Sequence, residues 1–172
     1  MPAVTNASPI IILARIERLR LLKDLHGAIL MSPAVRIECV DRGREVGATD
    51  VMAMENGIKE GWIQLVNLDK EETREARRLT DEARIGMGEA EALVLAKSRN
   101  ALAVLDDKEA RAIAKGWNLK CTSTLMVLYE AYMKDLISYD ALVEDLAKLT
   151  RIMWISTDVI TEIIKRAREV KK

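Results

Sequence analysis

Oxygen-bearing side chains stand where several short apolar segments of this sequence end. Asn6 follows the first of these segments, and Asp106 and Asp107 follow the fourth. Glu38 and Glu89 lie on segments that we predict to be helices, from which they can face the same crevice. Converging carboxylates repel one another unless a cation lies among them, and oxygen ligands without histidine or cysteine favour a hard ion. The set therefore predicts a site for Mg²⁺ or Mn²⁺, an ion that can activate water and neutralise charge on a phosphate.

Each of these residues also has a structural interpretation. Glu89 lies in the first turn of its predicted helix, where the helix dipole favours any acid. Asp106 or Asp107 can cap the helix that follows. Glu38 can face solvent, and Asn6 can be a turn residue that binds its own backbone. For each residue taken alone, the structural interpretation is the simpler one. Taken together, at strand ends and in this order, the residues fit a metal site as well as they fit separate structural roles.

Hydroxyl residues accompany the acids. The run 122–124, Thr-Ser-Thr, ends the fifth predicted strand, and it can also cap the next helix. Ser8 before Pro9 marks the start of the first helix, because proline in the first turn loses no needed donor. Glu91 lies two positions after Glu89 on the same predicted helix, so it points elsewhere and is expected at the surface.

The composition excludes several classes of protein. Of the 172 residues 49% are apolar, and 27 basic residues balance 27 acidic ones, which favours a globular domain over a globally basic nucleic-acid binder. The single histidine, His26, excludes histidine-rich zinc sites, and its place before Gly27 is that of a helix cap. Two distant cysteines, no signal peptide and no apolar run of about 20 residues predict a cytoplasmic protein without a membrane span.

Nucleotide-binding motifs are incomplete. The segment 86–88 begins a glycine fingerprint but lacks the remaining glycine, and the sequence holds no GxxxxGK[ST] loop. A nucleotide-binding protein is therefore the least supported of the functions considered.

Short strands alternate with helices along the chain, which predicts a parallel sheet with helices on both faces. Ligands of such sheets bind beyond the carboxyl ends of the strands, at a topological switch point, where the polar residues lie. The predicted strands are 3–5, 28–31, 62–66, 101–105 and 119–121. The predicted helices are 10–25, 33–40, 48–55, 69–84, 89–97, 108–116, 125–136, 139–149 and 157–170, with a break near residues 42–43.

The order of these segments resembles the PIN-domain family, which includes the VapC-type toxins, and the likeness is strongest to a prokaryotic subfamily. Each motif is short, and their order and spacing make the resemblance more specific than any one of them. The resembling segments are VTNASPII at 4–11, SPAVRIE at 32–38, GEAEALVLA at 88–96, VLDD at 104–107, TSTLMVL at 122–128 and MWIS at 153–156.

The resemblance implies an α/β fold, a three-layer α/β/α sandwich around a parallel sheet, with extra C-terminal helices. It also implies an acidic Mg²⁺ or Mn²⁺ site that hydrolyses RNA phosphodiesters. The first family acid falls at Asn6, the second at Glu38 and the third at Glu89. The fourth falls at Asp106 or Asp107, and these acids are the expected metal ligands and catalytic residues.

Hydroxyls complete the implied site. Ser8 and Thr124 match family hydroxyls close to the metal; we expect Thr124 to assist catalysis and Ser8 and Ser123 to contact substrate. Asn6 is the departure, because the family commonly has aspartate there. A neutral amide weakens the affinity for a divalent ion, so we expect reduced activity, or one ion where relatives bind two.

Two functions follow from the resemblance. The first is a metal-dependent endoribonuclease, the toxin of a toxin–antitoxin pair, with an RNA substrate, a small antitoxin partner and a homodimeric form. The second is a PIN-fold module with an attenuated site that binds RNA or protein. We expect residues 1–137 to form the nuclease domain and residues 138–172 a helical extension packed on it.

Overall fold

A computed structural model of the chain describes residues 1–45 and 50–170. Contacts divide the chain into two compact units, Met1–Thr124, which holds the sheet, and a helical unit that begins at Leu125. The predicted domain boundary after residue 137 stays a prediction. The predicted helix 48–55 lies partly outside the described residues.

The first unit is built on a parallel sheet, which confirms the predicted α/β fold. Its strands in the described residues are β1 (Ala3–Thr5), β2 (Ile29–Met31), β3 (Ile63–Leu65), β4 (Leu102–Val104) and β5 (Cys121–Thr122). They lie in the order β3-β2-β1-β4-β5, and every neighbouring pair is parallel. All residues of β1 and β2 are buried, as expected for strands covered on both faces. The chain extends the sheet to opposite sides of β1, so the switch point lies between β1 and β4.

Helices flank this sheet. In the described part of the first unit they are α1 (Ala7–Arg15), α2 (Arg20–His26), α3 (Pro33–Arg36), α4 (Arg42–Glu45), α5 (Val51–Lys59), α6 (Lys70–Ala83), α7 (Met87–Ser98) and α8 (Lys108–Gly116). Apolar residues run through α7, where Ala90 and residues 92–96 are all buried. A helix buried over most of its circumference is a central element of the core. It carries Glu89, so that acid stands on one of the best-packed parts of the unit.

The predicted continuous helix 10–25 is wrong, because it is two helices, α1 and α2. Glu17 adopts the left-handed conformation at φ 60°. The Glu17 amide donates to the Ala14 carbonyl at 3.0 Å, and the Arg18 amide donates to the Leu13 carbonyl at 2.7 Å. These two bonds form a Schellman motif that ends α1. Ile16, the last residue before the left-handed Glu17, is buried. The apolar spacing therefore continues across the end of α1 and does not reveal it.

A π-helical segment, Ile37–Asp41, joins α3 to α4. The helix therefore continues through residues 42–43, where a break was predicted. Within the segment Cys39 and Val40 are buried, whereas Glu38 is exposed. The Cys39 thiol donates to the Ala7 carbonyl, with Sγ at 3.8 Å from the oxygen. Isolated π-helical turns are frequent at functional sites, and this one carries a predicted site residue.

Helix α6 braces α7. Asp69 caps α6 in a capping box with Glu72, and the Glu72 carboxylate also accepts from the Arg99 guanidinium just after α7. Burial of Glu72 alone would raise its pKa. The hydrogen bonds from Arg99, Ser98 and the Asp69 backbone outweigh it and hold the pKa below its ordinary value of 4.5.

The second unit contains most of α9 (Thr124–Met133), and all of α10 (Tyr139–Ile152) and α11 (Thr157–Val170). Ser138 caps α10 by accepting from the Ala141 amide at 3.1 Å. The Tyr132 hydroxyl donates to the Ala167 carbonyl at 2.9 Å and so ties α9 to α11. The predicted C-terminal helices are confirmed. Among the described residues, no helix has both the length and the apolar composition needed to cross a membrane.

We expect Glu72→Gln to lower the free energy of unfolding by about 2 kcal/mol at pH 7, because a charged hydrogen bond in a buried place is weakened. The pKa of Glu72 is lowered in the folded state, so its contribution is complete above the unfolded pKa. It is lost as the pH falls through the folded pKa. Urea unfolding of both proteins between pH 7 and pH 3 measures the difference, which should shrink toward acid.

Glu75→Gln is the matched control, since Glu75 also links α6 to α7 through Lys97, with Nζ at 2.7 Å from its carboxylate. This pair is more exposed, so its loss should cost less than about 1 kcal/mol. Equal losses in the two variants would contradict the role assigned to Glu72.

Candidate active site

The switch point of the sheet brings two predicted site residues to one edge. Thr5 of β1 is in register with Val104 of β4. Asn6 follows β1 directly, and Asp106 lies two residues beyond β4. Both therefore lie at the carboxyl ends of neighbouring strands, where ligands of such sheets bind.

Asn6 is fully buried and hydrogen-bonds a second predicted site residue. Its amide Nδ2 donates to Oε1 of Glu89 at 2.9 Å. An ionised carboxylate only accepts, so the amide nitrogen must face Glu89 and the amide oxygen must point elsewhere. That oxygen, Oδ1, is buried and has no hydrogen-bond partner. Buried acceptors are normally satisfied, so an orphaned amide oxygen is unusual here, and it is of a chemical type that Mg²⁺ or Mn²⁺ accepts as a ligand.

Glu38 lies beside Glu89. Partial burial of the Glu38 carboxyl and the nearby negative charge of Glu89 raise its pKa, while Arg42 acts in the opposite direction. Gly88 lies against both residues of this region, since a Cβ there would lie 3.2 Å from Oε2 of Glu38, which is tight, and 3.5 Å from Cγ2 of Val35, which is an ordinary contact. Two acids from helices far apart in sequence are thus brought together.

Asp106 is held in place by Thr124. Its Oδ1 accepts from the Thr124 amide at 2.9 Å, and its Oδ2 accepts from the Thr124 hydroxyl at 2.6 Å. Thr124 is fully buried. Because both carboxylate oxygens are engaged, the orientation of Asp106 is fixed at the end of β4.

Asp107 has the structural role that the sequence left open. Its Oδ1 accepts from the Ala110 amide at 2.7 Å and caps α8.

Ser8 lies in the first turn of α1, and Ser123 lies between β5 and Thr124; both are half-buried. Their contact with substrate stays a prediction.

The acids do not form a closed set of metal ligands. Within 1–45 and 50–170, no three or more His, Cys, Asp or Glu side chains are grouped so that they could hold a metal ion. Three predicted site residues lie near one another, since the Asn6 amide nitrogen donates to Glu89 and the charge of Glu89 acts on Glu38. The buried Asn6 Oδ1, which has no hydrogen-bond partner, and the repulsion between the two glutamates fit a divalent cation.

The structural role of Glu91, which accepts a hydrogen bond from the start of α3, was not predicted from the sequence. It is half-buried instead of lying on the surface, and its Oε2 accepts from the Ala34 amide at 2.9 Å. As predicted, it points away from Glu89. The signal available in the sequence was the Ser32-Pro33 helix start, whose free amides need acceptors.

A family model described as PIN domain matches residues 2–169, and the chain belongs to this family. PIN domains are generally nucleases, and they typically use divalent metal ions.

A solved structure supports the fold. The chain is similar to the crystal structure of PAE2754 from Pyrobaculum aerophilum, with a TM-score of 0.50 and 19% sequence identity. The match covers 74% of this chain and 95% of that chain. At this identity the likeness shows the fold alone. No curated protein sequence matches the chain significantly.

Asn6→Asp should make the stability of the folded protein depend on a bound metal ion. The change replaces the donor 2.9 Å from Glu89 by a second carboxylate, so repulsion replaces a hydrogen bond. We expect stability without metal to fall by about 2 kcal/mol. We expect the affinity for Mn²⁺ to rise by about tenfold or more, because the added charge attracts the ion. Calorimetric titration and thermal unfolding with and without EDTA measure both effects.

Asn67→Asp is the control, because Asn67 is exposed in the loop after β3 and the change adds the same charge. Its Mn²⁺ affinity should match that of the unchanged chain. Equal Mn²⁺ affinity in Asn6→Asp and the unchanged chain would contradict the assignment of Asn6 to the site.

Proposed function

We propose that this PIN-domain protein is a metal-dependent endoribonuclease that hydrolyses RNA phosphodiesters. The observation that carries the proposal is the cluster of Asn6, Glu38 and Glu89, drawn from one strand end and two helices. It lies at the edge of the sheet where the strand order reverses. Clusters of oxygen ligands with uncompensated negative charge suit Mg²⁺ or Mn²⁺.

Three side chains would hold the ion: Asn6 through Oδ1, and Glu38 and Glu89 through their carboxylates. When bound, Mg²⁺ or Mn²⁺ lowers the pKa of water and neutralises charge developing on the phosphate. Asp106 adds negative charge at the neighbouring strand end, and an ionised carboxylate with two hydrogen bonds keeps further acceptor positions.

Glu38 is proposed as a ligand of the ion. Burial and the charge of Glu89 raise its pKa in the metal-free protein, and a cation bound beside it would favour the ionised carboxylate. The Thr124 hydroxyl donates a hydrogen bond to Asp106, and we propose that Thr124 assists catalysis by orienting that carboxylate. Ser8 and Ser123 are proposed as further contacts to RNA.

The biological role proposed is that of a toxin in a toxin–antitoxin pair acting in the cytoplasm. A small antitoxin protein and a second copy of the chain are the proposed partners. This part of the proposal comes from the resemblance of the ordered motifs to the PIN-domain family, which includes the VapC-type toxins. A short reading frame next to the gene that encodes an inhibitor of the cleavage would support it.

A second function is favoured by one specific observation. Asn6 satisfies Glu89 with a neutral amide, so the pair of residues needs no cation to be stable. A PIN-fold module that binds RNA or protein without cleaving it would have this arrangement. The nuclease and the binding module differ in whether RNA is cut when Mn²⁺ is present.

We expect Glu89→Gln and Asp106→Asn each to reduce Mn²⁺-dependent cleavage of a labelled RNA by about a hundredfold or more, because each removes a charge from the site. Glu109→Gln is the matched control, since Glu109 is exposed in the first turn of α8 and should leave cleavage unchanged. Gel electrophoresis of the RNA, with and without EDTA, measures the rates.

Cleavage that survives in both site variants would refute the proposed site. RNA retained in a mobility-shift assay but not cut by the unchanged chain with Mn²⁺ would establish the binding module instead.

A further inference from the structure

Helix α3, which leads into the π-helical segment that carries Glu38, begins against the helix that carries Glu89. Helix α3 starts at Pro33, which has no amide hydrogen, so Ala34 and Val35 carry its first free donors. Ser32 accepts from the Val35 amide at 3.3 Å. Glu91 of α7 accepts from the Ala34 amide at 2.9 Å. The first donor of α3 is thus satisfied from a different helix.

Gly88 and Glu91 face α3 together. They lie three positions apart on α7, so they share one face of that helix. A Cβ at Gly88 would meet Val35 and Glu38, and Glu91 binds Ala34. This face fixes both how near α3 comes to α7 and where along α7 it begins.

Glu89 lies on a different face of α7. Residues two apart on a helix do not face the same way, and Glu89 turns toward Asn6 while Glu91 turns toward α3. The same helix therefore supplies one site acid and the anchor for the segment that carries the other. Glu38 follows Ala34 by four residues, about one helical turn.

We propose that Glu91 is a positioning residue that fixes Glu38 relative to Glu89 by holding the Ala34 amide. This deepens the proposed function, since it concerns the same metal site. A charged acceptor also suits the start of a helix, where the dipole is positive. Without Glu91 the start of α3 loses its bond to α7, and Glu38 is no longer held at a fixed distance from Glu89.

Two substitutions at one position isolate the hydrogen bond from the charge. Glu91→Gln keeps an oxygen that can accept from Ala34, and Glu91→Ala does not, while both remove the same charge. Ser32→Ala is the control for loosening of α3 itself, because it removes the other bond at the start of that helix.

Calorimetric titration with Mn²⁺, below the unfolding temperature of every variant, is the first measurement. We expect Glu91→Ala to bind Mn²⁺ about tenfold or more weakly, the effect of losing an outer-shell partner of a metal ligand. Glu91→Gln should bind within about threefold of the unchanged chain. Ser32→Ala should also retain its affinity. Equal affinities of the Ala and Gln variants, or an equal loss in Ser32→Ala, would overturn the proposal.

Hydrogen exchange of the metal-free protein is the second measurement, and it does not depend on the proposed function. The Ala34 amide and residues 37–41 should exchange faster in Glu91→Ala than in Glu91→Gln or Ser32→Ala. If no variant binds Mn²⁺, the proposed function fails, and this exchange still decides the role of Glu91. Identical exchange in all three variants would refute the positioning role.

Discussion

Repulsion between two glutamates, Glu38 and Glu89, is the constraint that the surrounding structure has to meet. They lie close enough for the charge of one to raise the pKa of the other. Three features hold them there: the Asn6 amide that donates to Glu89, Gly88 that leaves room for Glu38, and Glu91 that anchors the start of α3. The packing of α7 in the core stabilises the fold and offsets the free-energy cost of this repulsion.

The placement of Asn6 and Asp106 at one edge of the sheet could be predicted because parallel strands end at a common edge. Asn6 and Asp106 follow strands that the apolar pattern marks clearly, and the register of β1 with β4 brings them to that edge. The choice between Asp106 and Asp107 could not be predicted. Successive residues of extended chain point in opposite directions, so the residue at which α8 begins decides which of the two is the cap.

Features that depend on hydrogen bonds between distant segments stayed hidden. The apolar spacing continues through Glu17, because Ile16 is buried on either interpretation, so only the backbone bonds reveal the end of α1. The spacing of apolar residues in the π-helical segment is the same as an α-helix would show, so the sequence does not distinguish the two. Glu91 resembles a surface acid until α3 is known to begin beside it, since an acceptor for Ala34 is defined only by the tertiary structure.

An amide at position 6 changes the balance between folding and metal binding. A third carboxylate beside Glu38 and Glu89 would add repulsion that only a cation relieves, so the metal-free fold would carry that cost. Asn6 instead gives Glu89 a hydrogen bond and keeps an oxygen, Oδ1, that has no hydrogen-bond partner and is proposed as a metal ligand. The loss of one charge lowers the attraction for the ion but leaves the remaining ligands in position without it. Because ligands that are already in position need no ordering when an ion binds, this preorganisation offsets part of the affinity that the missing charge costs.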